Sequence, residues 1–160
     1  RKNMSIIVGR VDDRLIHGQV ATSWIRGQNI QVVVLVDDKI AANKTQISIL
    51  KVSAPAGVKL YVQSVDKFVE KYNQGILDPY RVMLVFENVH TPLELVKKGI
   101  DLKSVNLGGM RFKEGRRQIS KALSVSEDEE RVIKELHDLG VEVEHRQLVS
   151  DQKVDVLTLL

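Results

Sequence analysis

Gln31-Val32-Val33-Val34-Leu35-Val36 is the stretch that decides the fold. Four of these six residues are valine, and both alternating sets of positions are apolar. A strand with one wet face alternates, whereas a strand apolar on both faces belongs inside a parallel sheet covered by helices on each side. Outward from it the chain repeats strand then helix. Residues 5–9 are a short apolar run bounded by glycine, and residues 19–26 follow with helical spacing, Val20 and Trp24 sharing a face. On the other side, residues 43–52 read as a helix with Ile47 and Leu50 inward, stopping before Pro55 and Gly57. Residues 58–63 and 81–86 are further strands, and Ser64 caps a helix over 65–72 between them.

Thr91-Pro92-Leu93-Glu94 reads as the next helix start, with Thr91 at the N-cap, and Gly99 closes that helix. Residues 104–107 are a fifth strand ending in Gly108-Gly109, and residues 118–123 read as a sixth. Ser126 and Glu129 form a capping box for a helix that Gly140 ends. Residues 141–148 alternate and read as an edge strand with one wet face, and residues 150–160 as a final short helix. The expectation is an α/β fold: an open, mainly parallel twisted sheet of about six or seven strands, helices on both faces, the last strand at an edge.

Composition removes several function classes. A chain of 160 residues buries a full core without staples. Absence of cysteine excludes a disulfide scaffold, a thiolate zinc site and a thiol nucleophile. The 4% aromatic content and the mild net charge of +3, without a basic run, argue against nucleic acid as a partner. The apolar runs fall far short of the ~20 residues of a membrane span, so insertion in the bilayer is not expected. Residues 1–3 read as additions ahead of a native start at Met4.

In an open α/β sheet, ligands bind at the carboxyl ends of the strands. The segment after the first strand is the unusual one there: Arg10-Val11-Asp12-Asp13-Arg14-Leu15-Ile16-His17-Gly18-Gln19. A helix starting at Gly18 offers unpaired N–H groups and about half a positive charge to an anion. Arg10 and Arg14 add planar forked donors suited to phosphate oxygens. A histidine placed there can carry a phosphoryl group, provided its imidazole is neutral when it attacks phosphorus. The plain alternative makes Asp12 and Asp13 turn residues, Arg14 a surface ion pair and His17 a helix-start histidine. The residues by themselves leave both readings open. No P-loop and no dinucleotide fingerprint occurs. Asp37-Asp38 reads as a helix cap rather than a metal pair, and His90, His137 and His145 lack organised neighbours.

Together with Ala54-Pro55-Ala56-Gly57-Val58-Lys59, Asn106-Leu107-Gly108-Gly109-Met110, residues 112–122 and the tail Ser150-Asp151-Gln152-Lys153-Val154-Asp155, the first motif resembles the IIB components of the mannose/fructose/sorbose class of the bacterial sugar phosphotransferase system. The pieces span nearly the whole chain in family order. The resemblance implies a single IIB domain over residues 1–160, in the free-standing form. It implies that His17 takes a phosphoryl group from a histidine of the IIA protein or domain. That group then passes to a hexose or amino sugar of the mannose, fructose, sorbose or N-acetylgalactosamine class, held by the membrane IIC and IID proteins. Arg14 and Arg10 would stabilise charge, Gly18 and Gln19 supply backbone donors, Asp13 orient His17 or its loop, and Asn106, Gly108 and Gly109 support the site. No metal or organic cofactor is implied, and the location implied is cytoplasmic, transiently at the inner membrane face. The competing class is a non-catalytic regulator that binds phosphate or a phosphoprotein through the same loop. Residues 106–116 are a candidate docking rim: Met110 and Phe112 supply apolar contact or else belong to the core, with Arg111, Lys113, Arg116 and Arg117 as its basic part.

Overall fold

The structure, a computed structural model, describes residues 6–160. Residues 1–3 and Ser5, on which two of the expectations fall, lie outside the described residues. The chain begins with β1 (Ile6–Asp12), α1 (Gly18–Gly27), β2 (Val32–Val36), α2 (Asp38–Ala41), α3 (Lys44–Val52) and β3 (Lys59–Gln63). It continues with α4 (Val65–Asn73), β4 (Val82–Phe86), α5 (His90–Lys97), β5 (Ser104–Gly109), β6 (Arg117–Gln118) and β7 (Ser124–Val125). The last elements are α6 (Glu127–Asp138), β8 (Glu142–His145), β9 (Val154–Asp155) and a 3₁₀ turn over Val156–Leu159.

Seven strands form one sheet in the order β3-β2-β4-β1-β5-β8-β9. All neighbours are parallel except β8 and β9. The doubly apolar strand behaves as its sequence requires. Val33 and Leu35, with Met83 and Val85 of β4, join Trp24 and Ile25 of α1, Ile40 of α2 and Leu50 of α3. Val32, Val34 and Val36 point the other way, into a cluster with Phe68 of α4, Leu95 of α5 and Ile133 of α6.

Four expectations need correcting. Residues 118–123 are not a strand of the main sheet: β6 and β7 form a two-residue antiparallel ladder, and the segment between them turns, with Leu123 O accepting from Ile119 N. Residues 141–148 are not the edge. Only Glu142–His145 are extended, and β9 pairs onto them. The true edge is Val154–Asp155, and the tail after it is a 3₁₀ turn rather than a helix. Helix α5 begins one residue before Thr91 and has no capping box; Asn88 Oδ1 accepts from the His90 and Thr91 N–H groups instead. The capping box at Ser126 and Glu129 forms as read.

The strand order fixes where the chain changes direction. From β1 the chain crosses through α1 toward β2 on one side, and from the adjacent β4 through α5 toward β5 on the other. Such a switch point leaves a crevice at the carboxyl ends, here between the loops after β1 and β4.

Candidate functional site

Strand periodicity places Arg10 and Asp12 on the same side of β1, and both are buried. After Asp12 the chain turns sharply: Asp12 O accepts from Leu15 N at 2.9 Å, and Asp12 Oδ1 from Arg14 N at 2.9 Å. Leu15 adopts a left-handed backbone, φ 63°, which a leucine holds only when its surroundings over-determine it. They do so here, because Leu15 and Ile16 are buried in the cluster beneath α1. That anchoring delivers His17 to the N-cap of α1, with φ −147° and ψ 138°. Its ring makes no capping bond and no acidic residue occupies the first turn. The first N–H groups of α1, those of Gly18 and Gln19 among them, therefore have no helical partner.

His17 lies 3.0 Å through Nε2 from Asp12 Oδ2. A carboxylate only accepts, so Nε2 carries the hydrogen of this contact, and in a neutral ring the lone pair is then on Nδ1. Asp12, absent from the sequence-derived site, is thus the partner of the histidine, and Asp13 is not. Asp13 turns to the other wall, where its Oδ2 accepts from Arg111 N at 2.8 Å and its Oδ1 stands 3.2 Å from Arg111 Nε. Strand parity was the signal available for Asp12, since it shares a face with Arg10.

Arg14 is half-exposed, with Nε 3.8 Å from Asp12 Oδ1. Arg10, read with Arg14 as a charge stabiliser, is buried behind the carboxylate. Its Nη1 donates to Asn106 Oδ1 at 2.6 Å and to Arg146 O at 3.2 Å, and its Nη2 lies 3.5 Å from Asp12 Oδ2. Burial pushes the Arg10 guanidinium below its ordinary pKa, and Asp12 and then Glu144 oppose that shift. The two glycines after Asn106 make room for these side chains. A Cβ at Gly108 would collide with the Arg10 guanidinium, and one at Gly109 would stand 3.2 Å from Asp12 Oδ1.

The segment between β5 and α6 forms the second wall. Met110 is core, but Phe112 is 69% exposed. Arg116 leaves the basic rim, because it is buried and forked onto Glu129 at 3.0 and 2.8 Å. Burial alone would raise the Glu129 carboxyl; the Arg116 hydrogen bonds and the Ser126 N–H outweigh it and leave the pKa lowered. Arg117 pairs with Glu130 at 3.6 Å. Beside Asp13 and the loop after β4 lies a cleft of about 590 Å³ lined also by Glu87, Asn88, Arg111, Phe112 and Lys113; His17 and Arg14 do not line it. Glu87 is half-buried there; desolvation and then the charge of Asp37 push its carboxyl up.

Two other histidines have partners after all. His145 Nδ1 donates to Leu107 O at 2.6 Å, and His90 Nε2 meets Asp128 at 2.6 Å on the surface. Asp37 caps α2 through Ile40 N, as read. Among the described residues no cluster of His, Asp or Glu is placed to hold a metal ion. Nor is any helix of the described residues long and apolar enough to cross a membrane.

Comparison with known proteins gives this geometry a context. The family described as "PTS system sorbose subfamily IIB component" matches residues 6–160. The sorbose-specific EIIB component of Lacticaseibacillus casei is 39% identical over 96% of this chain and 94% of its own length. The mannose-specific EIIAB component of Escherichia coli strain K12 is also 39% identical, over 98% of this chain but 49% of its own. The crystal structure of the IIBSor domain of the sorbose permease from Klebsiella pneumoniae superposes with a TM-score of 0.93 at 34% identity, covering 98% of this chain and 96% of that one.

Proposed function

Because the chain belongs to the sorbose-subfamily IIB components, the phosphotransferases of bacterial sugar uptake, we propose that His17 is the residue that carries the phosphoryl group. The single observation behind this is the contact of His17 Nε2 with Asp12 at the start of α1. The Nδ1 lone pair attacks phosphorus on a donor phosphohistidine, and the donor N–P bond breaks as the new one forms. The His17 ring, still protonated at Nε2, acquires positive charge in that step, and the Asp12 carboxylate compensates it. Arg14 and the N–H groups of Gly18 and Gln19 hold the phosphoryl oxygens. In the second transfer a sugar hydroxyl attacks phosphorus and loses its proton to solvent. The His17 N–P bond breaks, and the neutral Nε2–H ring is regenerated. Little covalent help is needed; such transfer depends on positioning and on charge stabilisation. Arg10 acts through Asp12, as do Asn106, Gly108 and Gly109.

IIA is the donor and the membrane proteins IIC and IID present the sugar. The E. coli relative, named as an EIIAB component, supports the first of these. No metal or organic cofactor enters, because the intermediate is covalent. The reading places the protein in the cytoplasm, with transient visits to the inner membrane face. No observation favours a regulator that merely binds phosphate.

The test is incubation with a phosphoenolpyruvate-driven phosphotransfer chain. One phosphoryl group, acid-labile and alkali-stable, is expected on His17 and none on His17→Ala. Label on His90, His137 or His145, or label kept by the variant, overturns the assignment.

A further inference from the structure

Beyond the loop that carries His17, the buried charges of the site continue across two more strands. Asn106 of β5 accepts from Arg10 and, through Nδ2, donates to Glu144 Oε2 at 3.2 Å and to Arg146 O at 3.3 Å. The Glu144 carboxylate is forked onto the Arg146 guanidinium at 3.1 and 3.0 Å. Both guanidiniums lie over the ring of Trp24, Arg10 at 5.2 Å and Arg146 at 5.0 Å from its centroid. Trp24 itself is fully buried on α1 and donates Nε1–H to Gln147 O at 2.7 Å. Glu144 stands on the side of β8 that sequence alternation makes wet, yet it is 3% exposed. A carboxylate is kept that deep only when it is paired and hydrogen-bonded.

We propose that Glu144 and Arg146, with Trp24 as their platform, are positioning residues for His17, setting through Asn106 and Arg10 which oxygen of Asp12 is free to take the imidazole N–H. The inference rests on the reading of His17 as the carrier. Its logic is competition for one atom. Asp12 Oδ2 is shared between His17 Nε2 at 3.0 Å and Arg10 Nη2 at 3.5 Å. Arg10 stays at the longer distance because Asn106 and Arg146 O hold its other nitrogen. The four charges Arg10, Asp12, Glu144 and Arg146 sum to zero. With Glu144 neutral, the buried Arg10 and the part-buried Arg146 face a single carboxylate. Arg10 then closes on Asp12 Oδ2 and the ring loses its fixed tautomer. Trp24 ties the arrangement to α1, so both sides of the histidine are set by one platform.

The experiment uses Glu144→Gln in the full chain, with Arg146→Lys as the second variant because it keeps the charge and loses the fork. The first readout is the ring ¹⁵N spectrum of His17, which needs no phosphoryl transfer. Wild type is expected to show one Nε2–H tautomer and Glu144→Gln a mixture. The second is transfer from IIA: the rate at saturating donor is expected to fall about tenfold, as misplacement of a reacting group does, with the half-saturating donor concentration unchanged. A purely structural role would lower the melting temperature and leave the tautomer of the folded fraction alone. Folded Glu144→Gln with a wild-type tautomer and rate overturns the proposal. If that variant does not fold, the same result in Arg146→Lys overturns it. If wild type takes no label on His17 while the tautomer still responds, the carrier reading fails, and what stands is that these residues orient the His17 ring.

Discussion

Asp12 and Asp13 are consecutive, yet their carboxylates serve opposite walls of one site: Asp12 Oδ2 meets His17 Nε2 at 3.0 Å, and Asp13 Oδ2 takes the N–H of Arg111 at 2.8 Å. The division follows from strand geometry, since successive side chains at the end of β1 point to opposite faces. Asp12 holds the His17 ring. Asp13 fastens the 110–126 segment through Arg111 and Arg116.

The two aspartates are therefore expected to fail differently. Asp12→Asn removes the charge that compensates the phosphorylated ring, and the rate at saturating donor should drop about 10²-fold, the range of a lost electrostatic stabiliser. Asp13→Asn loosens the second wall, so the half-saturating donor concentration should rise while the saturated rate holds. Steady-state transfer from IIA measures both. Identical behaviour of the two variants would contradict the division.

Arg14 is the solvent-facing cation closest to the ring's carboxylate partner. Arg14→Lys keeps the charge and loses the fork, so transfer should slow by on the order of 3 kcal/mol in the barrier. Melting temperature should barely change, because the Arg14 side chain is half-exposed. An unchanged rate would leave Arg14 a surface charge.

Gly108→Ala tests whether the glycine pair is there for side chains. Its new methyl must displace the Arg10 guanidinium, which is buried and fully engaged. Overpacking of this kind costs about 1–3 kcal/mol. Here it should also disturb the ¹⁵N spectrum of His17, although residue 108 touches neither the ring nor its loop. Denaturant melts and that spectrum check the two parts separately.

The sheet was legible because Val32 to Val36 and Val82 to Phe86 are apolar on both faces, and few other folds accept such strands. The loop of His17 stood out because a helix start, two arginines and a histidine coincide within ten residues; the role proposed for it came from the family resemblance. Glu144 was not. A Val-Glu-Val-Glu rhythm signals a wet face unless something covers it, and its cover is Arg146 and Trp24, the latter over a hundred residues away. The ladder of β6 and β7 escaped for a related reason. Residues 117–125 are held by Arg116, Glu129 and Met110 backbone bonds rather than by a periodic pattern.

Two glutamates should give stability profiles of opposite sign with pH. Glu129 has a lowered pKa in the fold, so its contribution is present above the ordinary value of 4.5 and lost as pH falls through the depressed one. Glu129→Gln should therefore be less stable than wild type at neutral pH, the gap closing in acid. Glu87 has a raised pKa, so its ionisation works against the fold once pH exceeds 4.5, fully so above its raised value. Glu87→Gln should be more stable than wild type at neutral pH, and that gap too should close in acid. Melting temperatures across this range decide it; a Glu87→Gln variant that is never the more stable would contradict the assignment.

The last expectation concerns the face that meets IIA. His17 must come within bonding distance of a phosphorus atom on another protein, so the surface around it has to be open. Arg14, Arg111, Phe112 and Lys121 are exposed and line one groove, and the exposed Lys113 follows Phe112 in the chain, a basic rim around one aromatic ring. Arg111 is a poor probe, because its side chain also pairs with Asp13. Lys113 and Lys121 are better, and reversing both should raise the half-saturating IIA concentration at low salt and flatten its salt dependence, since rim charges act mainly on encounter. Phe112→Ala should raise that concentration at every ionic strength, because loss of a buried aromatic contact is not screened. Neither change should alter the saturated rate, which belongs to Asp12 and Arg14. If the Lys113→Glu, Lys121→Glu variant saturates with IIA like wild type at low salt, the partner docks on another face.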